Sequence, residues 1–198
     1  MRQPWPPIRP PLISTREQEP APTPAELLAF LGVLATLVPT GGSVLEIGSA
    51  TGRDAMILEA RGLRVSRTDA TQAFVDRLRA QGLTAAVLNV ITDELGGPWD
   101  AIYANAVFLH LNLTELSHVL VKTAAAVVPG GALAFTLKEG DGAAWTTVKL
   151  DQPRYFTCWR EEGLRSLIDG TPWEVASIDR VVGSSDEWLF CICRTAAG

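Results

Sequence analysis

The stretch Ser43–Arg53, SVLEIGSATGR, constrains the fold of this chain more than any other. It begins with residues of high β propensity and continues through five small residues into a segment of helical character. This order predicts a strand, a tight turn and a helix. Glycine permits positive φ and close approach of a ligand, and the helix would direct its free N–H groups at the same crevice. The turn is therefore a candidate nucleoside site at the carboxyl end of a parallel strand.

The spacing of the small residues distinguishes several kinds of glycine-rich turn. A phosphate-binding P-loop requires Gly-Lys-Ser/Thr, whereas Gly52 is followed by Arg53 and Asp54. A dinucleotide fingerprint requires G-x-G-x-x-G, but Ala50 and Arg53 hold its later glycine positions. The pattern present is E-x-G-x-A-x-G, which begins at Glu46. An ordinary βα turn without a ligand remains an alternative.

Composition favours one soluble globular domain without a nucleic-acid partner. The length of 198 residues and a hydrophobic content of 47% suit a single core built on a buried parallel sheet. The 22 acidic residues outnumber the 17 basic ones and no basic run occurs, which argues against affinity for phosphate backbones. No apolar run is long enough to span a bilayer, and the N-terminus lacks a signal-peptide core. We therefore expect no membrane partner and a cytoplasmic location.

The three cysteines, Cys158, Cys191 and Cys193, do not have the spacing of metal ligands. We predict no metal site. Cys191 and Cys193 are two residues apart on a predicted strand, so they share one face and are interpreted as core residues.

Residues 1–24 form a proline-rich segment ahead of the predicted domain, which covers 25–198. Eight of the thirteen prolines lie there, so the segment cannot donate a regular set of backbone hydrogen bonds. We expect an extended arm, which is either a disordered tail or a cover over a substrate pocket. A helix should follow, with Thr23 as N-cap, Pro24 in the first helical position and Glu26 completing a capping box.

The rest of the chain alternates predicted strands and helices, which indicates a doubly wound α/β fold. Strands are predicted over 64–68, 83–90, 99–106 and 132–137, with helices over 72–81 and 161–169 and a further helix capped by Thr114. The last two strands, over 173–182 and 188–194, are joined by a turn too short for a parallel crossover, so they should be antiparallel. We therefore predict a Rossmann-like seven-stranded sheet, mostly parallel, with an antiparallel C-terminal hairpin strand.

These features in this order resemble the class I S-adenosylmethionine-dependent methyltransferases that act on small molecules. The motif from Glu46 to Gly52 is similar to the family's E/D-x-G-x-G-x-G, with Ala50 in place of the middle glycine. Asp69 follows roughly twenty residues later at the end of the second strand. The W-D-x-I stretch from Trp99 and the P-G-G turn at 129–131 also match the family pattern. The resemblance covers residues 25–194.

The resemblance implies S-adenosyl-L-methionine as cofactor and a small-molecule methyl acceptor as partner. The implied cofactor-binding residues lie at the ends of successive strands: Glu46, Gly48, Ser49, Ala50 and Gly52 for the amino-acid part, Asp69 and Ala70 for the ribose, Asn89 and Val90 for adenine, and Asn105 near the methyl. Asn89 stands where the family usually has an acid, and Asp93 is a candidate substitute. The alternative for Asp69 is an N-cap of the following helix, a role that Asp69 or Thr71 could have.

The predicted catalytic residues are His110 and Tyr155, and the predicted substrate-binding residues are His110, Arg154 and Tyr155. His110 follows the fourth strand at its carboxyl end, although a histidine within FLHL could equally be a packed core residue. Arg154 and Tyr155 follow a polar segment, 138–151, which is predicted to be a loop forming the substrate wall.

Two other functions remain open. One is an enzyme of the same fold that binds the cofactor without transferring methyl, such as a cyclase of specialised metabolism. The other is a nicotinamide-dependent oxidoreductase, which the hairpin and the missing G-x-G-x-x-G disfavour. The sequence indicates neither the methylated atom, whether oxygen, nitrogen or carbon, nor the oligomeric state.

Overall fold

The structure, a computed structural model, describes residues 24–146, 154–183 and 186–197. Its helices and strands alternate along most of the chain, in the order α1 (Ala25–Leu37), β1 (Ser43–Ile47), α2 (Arg53–Glu59), β2 (Arg64–Asp69), α3 (Gln72–Ala80), β3 (Ala85–Val87), β4 (Trp99–Ala104), a 3-10 turn (Phe108–His110), α4 (Leu113–Ala125), β5 (Val127–Glu139), β6 (Ala143–Thr146), β7 (Arg154–Trp159), α5 (Glu161–Asp169), β8 (Trp173–Val182) and β9 (Glu187–Thr195). The predicted arm over 1–24 lies outside the described residues except for Pro24 and stays a prediction.

The central sheet confirms the predicted doubly wound topology. Strands β3, β2, β1, β4 and β5 are neighbours in this order and all run parallel. Strand β9 pairs antiparallel with β5 on its other side, and β8 pairs antiparallel with β9. The C-terminal hairpin therefore inserts its second strand between β5 and β8, which gives the seven predicted strands.

Strands β6 and β7 are an addition to these seven. Strand β5 continues to Glu139, beyond the end of β4, and its last two residues pair with β7. Strand β6 pairs antiparallel with β7, with Trp145 opposite Tyr155. The predicted loop over 138–151 was wrong over 138–139, which belong to β5, and over 143–146, because aromatic and β-branched residues of β6 and β7 pair across a ladder. Residues 147–153 lie outside the described part of the chain.

Helices cover both faces of the sheet. The side chains of β1 alternate between two core clusters, since Val44 packs with α1 and α2 while Leu45 and Ile47 pack with α4 and α5. The cap predicted at Thr114 was wrong, because Asn112 caps helix α4 in a capping box with Glu115. Pro24 is the N-cap of α1 and not its first helical residue, and it makes no side-chain cap bond, while the predicted cap Thr23 lies outside the described residues.

Several residues have structural roles away from the carboxyl edge of the sheet. Asp100 accepts hydrogen bonds from the N–H and hydroxyl of Ser43, at 2.7 and 2.9 Å, where β1 begins.

Cys191 and Cys193 are fully buried in β9, and burial raises the pKa of Cys193 to about 12. Among the described residues, none of the helices has the length and apolar character to cross a bilayer.

Candidate functional site

The turn after β1 is tied to the end of β2 by backbone hydrogen bonds. The N–H groups of Gly48 and Ser49 both donate to the carbonyl of Thr68, at 2.8 Å each. The N–H of Ala50 donates to Asp69 Oδ2 at 3.0 Å. Because β1 and β2 are parallel neighbours, their carboxyl ends meet here. The turn is therefore held in one conformation beside the end of β2.

Gly48 and Gly52 are required by backbone conformation and by packing. Both have φ of 77°, in the left-handed region. A Cβ on Gly48 would lie 2.3 Å from Cγ2 of Val107, and one on Gly52 would lie 2.8 Å from Cδ2 of Leu78. Val107 thus covers the side of Gly48 from which a side chain would project. This is an additional reason for glycine that the sequence did not indicate.

Two alanines adopt left-handed backbone conformations beside this turn. Ala50 has φ of 45° and Ala106 has φ of 54°, and within the described part of the chain no other residue except glycine has positive φ. Each follows the carboxyl end of one of two adjacent strands, β1 and β4. Strained backbone of this kind is concentrated at ligand sites. The strained backbone therefore indicates a candidate ligand site at the carboxyl ends of β1 and β4.

Replacing Ala50 with glycine should raise the free energy of unfolding by up to about 1 kcal/mol. The gain is the relief of left-handed strain, and the higher entropy of glycine in the unfolded chain offsets part of it. Urea unfolding measures the difference. The control is Ala29→Gly, at an exposed position inside α1, which should lower stability by about 1 kcal/mol. A loss of stability in both variants would contradict the strain at Ala50.

The carboxylate of Asp69 binds backbone on both sides of the end of β2. Its Oδ2 accepts from Ala50, and its Oδ1 accepts from the N–H of Thr71 at 2.8 Å. The alternative of Asp69 as a helix cap was wrong, because Thr71 is the N-cap of α3 and no side chain caps this helix. A carboxylate oxygen can accept more than one hydrogen bond, so Asp69 retains acceptor capacity for a ligand.

A buried hydrogen-bond network begins at Asp54 in the first turn of α2. Asp54 Oδ2 accepts from the hydroxyl of Tyr103 at 2.8 Å and from Nδ2 of Asn105 at 2.9 Å. The hydroxyl of Thr136 donates to Asn105 Oδ1 at 2.8 Å and accepts from the N–H of Ala106 at 2.8 Å. Burial, followed by the charge of Asp54, raises the pKa of Tyr103 well above its usual range. The network joins α2, β4 and β5 and fixes the orientation of the Asn105 amide.

Glu46 is a buried carboxyl group at the centre of the site. Its residue is 2% exposed, and its Oε2 has no hydrogen-bond partner within the described part of the chain. The pKa of Glu46 is raised to about 7, mainly because the carboxyl group is buried. A bond with Ser49 lowers this pKa, the charge of Asp54 raises it, and the charge of Arg67 and a bond with the backbone of Ala55 lower it.

The free energy of unfolding should contain a pH-dependent contribution from Glu46. A carboxyl group whose pKa is raised from 4.5 to about 7 by folding stabilises the folded state below pH 4.5, and this stability is lost as the pH rises through 7. Between pH 4.5 and 8 the unfolding free energy of Glu46→Gln, relative to that of the wild type, should rise by about 3 kcal/mol. Urea unfolding across this range measures it. A constant difference would contradict the raised pKa.

The segment after β3 lies beside Asp69. The N–H of Leu88 donates to the carbonyl of Asp69 at 3.0 Å, which places Asn89 next to the end of β2. Asn89 is exposed, and its N–H donates to Asp93 Oδ2 at 2.9 Å. This bond lowers the pKa of Asp93. Asp93 thus shapes the turn that presents Asn89, while Val90 is buried and its carbonyl accepts from Lys122 at 3.1 Å.

The side chain of His110 contacts the backbone of Tyr155. Nδ1 of His110 lies 2.8 Å from the carbonyl oxygen of Tyr155. A carbonyl can only accept, so Nδ1 carries the hydrogen, and in the neutral ring Nε2 carries the lone pair. The ring centroids of His110 and Phe156 are 4.8 Å apart, and those of Tyr155 and Trp145 are 5.5 Å apart. The side chain of Arg154, the third predicted substrate residue, lies outside the described part of the chain.

Comparison with solved structures finds many similar folds. A 1,6-didemethyltoxoflavin-N1-methyltransferase from Burkholderia thailandensis has a TM-score of 0.71 at 18% identity, over 87% of this chain and 79% of that one. The CcbJ methyltransferase of Streptomyces caelestis has a TM-score of 0.71 at 19% identity, over 89% and 91%. Magnesium protoporphyrin IX methyltransferase from Synechocystis has 0.67 at 14% identity, over 86% and 77%. The chain has the fold of the class I S-adenosylmethionine-dependent methyltransferases. No protein-family model and no curated protein matches it.

Within this methyltransferase fold, the predicted cofactor residues lie in two connected groups. In the first group, hydrogen bonds join the turn at 48–52 to the end of β2 at Asp69, and the segment at 89–90 lies next to Asp69. Asn105 is joined to the start of α2 through Asp54. Ala70 is exposed between these groups. The loop that carries Asn105 also carries Val107 and His110, so it runs from the glycine turn to the β6–β7 hairpin.

The sequence reasoning missed Asp54, Tyr103 and Thr136, which organise this edge of the methyltransferase fold. The signal for Asp54 is its position, because an acid in the first turn of a helix is favoured by the helix dipole. Tyr103 sits among apolar residues of β4, and a buried tyrosine hydroxyl requires a partner. Within residues 24–146, 154–183 and 186–197, no three His, Cys, Asp or Glu side chains are placed to hold a metal ion.

Proposed function

We propose that this protein is an S-adenosylmethionine-dependent methyltransferase that acts on a small molecule. The single observation that carries the proposal is the turn at 48–52, held between Glu46 and Asp69 at the carboxyl edge of a sheet with the methyltransferase strand order. The Burkholderia and Synechocystis structures named above contain S-adenosylhomocysteine and S-adenosylmethionine, respectively. The antiparallel β8–β9 hairpin argues against the nicotinamide-dependent alternative, whose strands would all be parallel.

The residues of the crevice fit such a cofactor. Glu46 has a buried carboxylate oxygen that no group in the described ranges of the chain donates to, which suits the ammonium of the amino-acid part. Asp69 has acceptor capacity for the ribose hydroxyls, and the exposed Asn89 with the backbone of Val90 would border the adenine edge. Ala50 and Ala106 hold strained backbone on either side. These residues would hold the cofactor across the ends of β1, β2 and β3.

The bound cofactor supplies a methyl group already activated by its sulfonium. The chain has then to align an acceptor with it and, for a hydroxyl acceptor, to remove a proton. Asn105 has a fixed amide at the end of β4 and would position the reacting groups. His110 would accept the proton at Nε2, because its Nδ1–H is held by the carbonyl of Tyr155. Tyr155 and Arg154 would contact the acceptor from β7.

Formation of S-adenosylhomocysteine tests the proposed function. The protein is incubated with S-adenosylmethionine and a panel of phenols, carboxylic acids, amines and carbon nucleophiles. We expect product with one of these classes and, for a hydroxyl acceptor, a loss of about 100-fold in kcat for His110→Ala. Product formation that consumes no methyl donor would instead identify a non-methylating enzyme of this fold. Absence of turnover together with binding of NADH would contradict the proposal.

Replacing Asp69 with alanine should weaken cofactor binding about 10- to 100-fold, because hydrogen bonds between a carboxylate and the ribose are lost. Asp69 also holds Ala50, so a second comparison isolates the ribose contact. The affinities of 5′-methylthioadenosine and its 2′,3′-dideoxy analogue should differ in the wild type and be nearly equal in Asp69→Ala. An unchanged ratio in the variant would show that Asp69 does not bind the sugar.

A further inference from the structure

The buried carboxyl group of Glu46 has a geometry that suits a cationic ligand. Glu46 alternates along β1 with Leu45 and Ile47, so its side chain lies on the same face as Val44, under the start of α2. Its Oε2 is buried and has no hydrogen-bond partner among the residues described. A buried oxygen of this kind is costly unless it is protonated or receives a donor.

Within the described part of the chain, the charged and titratable groups around Glu46 form no hydrogen bond with its Oε2. Asp54 on α2 is a second carboxylate, and its oxygens accept from Tyr103, Asn105 and Arg53. Arg67 on β2 is the parallel-strand neighbour of Glu46 and its charge lowers the pKa of Glu46, while its Nη2 binds Glu59 at 2.5 Å. Tyr103 on β4 donates its hydrogen to Asp54. A proton or an incoming cation can therefore complete the site.

We propose that the α-ammonium group of the nucleoside ligand replaces a proton on Glu46, so that loading of the crevice releases one proton to solvent. The proposal rests on the proposed function. The O–H bond of the Glu46 carboxyl group breaks, its electron pair stays on the oxygen, and the proton passes to the buffer. The resulting carboxylate accepts a hydrogen bond from the ammonium, and the net charge of the buried site stays the same.

This exchange makes ligand affinity depend on pH. With the pKa of Glu46 at about 7 in the free protein, the dissociation constant at pH 5.5 should be roughly tenfold larger than at pH 7. An α-ammonium group remains largely protonated over this range, since its ordinary pKa is about 7.7–8.0. The change therefore reports Glu46 and not the ligand.

Calorimetric titration at pH 6, in two buffers of different ionisation enthalpy, counts the protons exchanged. S-adenosylmethionine and S-adenosylhomocysteine should each release about one proton from the wild type. 5′-Methylthioadenosine lacks the amino-acid part and should release none. Glu46→Gln should bind S-adenosylhomocysteine without proton release, whereas Glu162→Gln, at an exposed position on α5, should behave like the wild type.

The outcomes separate this inference from the proposed function. Binding of S-adenosylhomocysteine by the wild type without proton release, or release of the same proton by 5′-methylthioadenosine, would overturn the exchange and leave the proposed function intact. Failure of all three nucleosides to bind the wild type would overturn both. The wild-type titrations alone decide these points, even if Glu46→Gln does not fold.

Discussion

Replacing Asp54 with alanine should lower the free energy of unfolding by about 3 kcal/mol, because two buried donors lose their acceptor. The hydroxyl of Tyr103 is fully buried and the amide of Asn105 is partly buried, and both donate to the same oxygen of Asp54. Urea unfolding at pH 7 measures the loss. The variant should also weaken ligand binding, since Asn105 would no longer be held against α2.

Two comparisons show whether the loss comes from the network. Asp76→Ala, at an exposed position on α3 where the carboxylate accepts from Gln72, should change stability by less than about 0.5 kcal/mol. Tyr103→Phe removes one donor and should make Asp54→Ala less costly in the double variant. Equal effects of Asp54→Ala and Asp76→Ala would show that the buried bonds contribute nothing.

Replacing Gly48 with alanine should cost about 3 kcal/mol or more, since left-handed strain and steric overlap act together. The new Cβ would lie 2.3 Å from Cγ2 of Val107 on the loop after β4. Either the turn or this loop has to move. Ligand binding should therefore fall together with the unfolding free energy, measured by calorimetry and by urea unfolding.

The double variant Gly48→Ala, Val107→Ala separates the two causes. Removal of the Val107 methyl groups should restore the part of the loss that is due to overlap, while the part due to φ remains. Gly32→Ala is the matched control, because a Cβ there meets nothing within 4 Å and the residue is helical. This control should gain up to about 1 kcal/mol. An equal loss in the single and double variants would contradict the contact with Val107.

The sequence predicted the strand order, which the structure confirms, and a candidate ligand site at the turn after β1, because both follow from local signals. The strand, turn and helix from Ser43 onwards, the acid at Asp69 and the short turn before β9 each follow from local propensity and spacing. The β6–β7 hairpin was missed, since its polar residues resemble a loop and its pairing depends on contact between Trp145 and Tyr155.

The internal connections of the site could not be predicted in the same way. Asp54, Tyr103 and Thr136 lie on three elements that are far apart in sequence and meet only after the sheet has formed. The packing of Val107 against Gly48 likewise joins two loops across neighbouring strands. Such contacts have no periodic signature, so the sequence could offer candidate ligand residues but not the residues that hold them in place.

The most direct measurement is a crystal structure of the protein with S-adenosylhomocysteine. The proposal predicts the nucleoside across the ends of β1 and β2, with a ribose hydroxyl within hydrogen-bonding distance of Asp69 and the amino group beside Glu46. A nucleoside bound elsewhere, or no ligand at this edge of the sheet at saturating concentration, would contradict it.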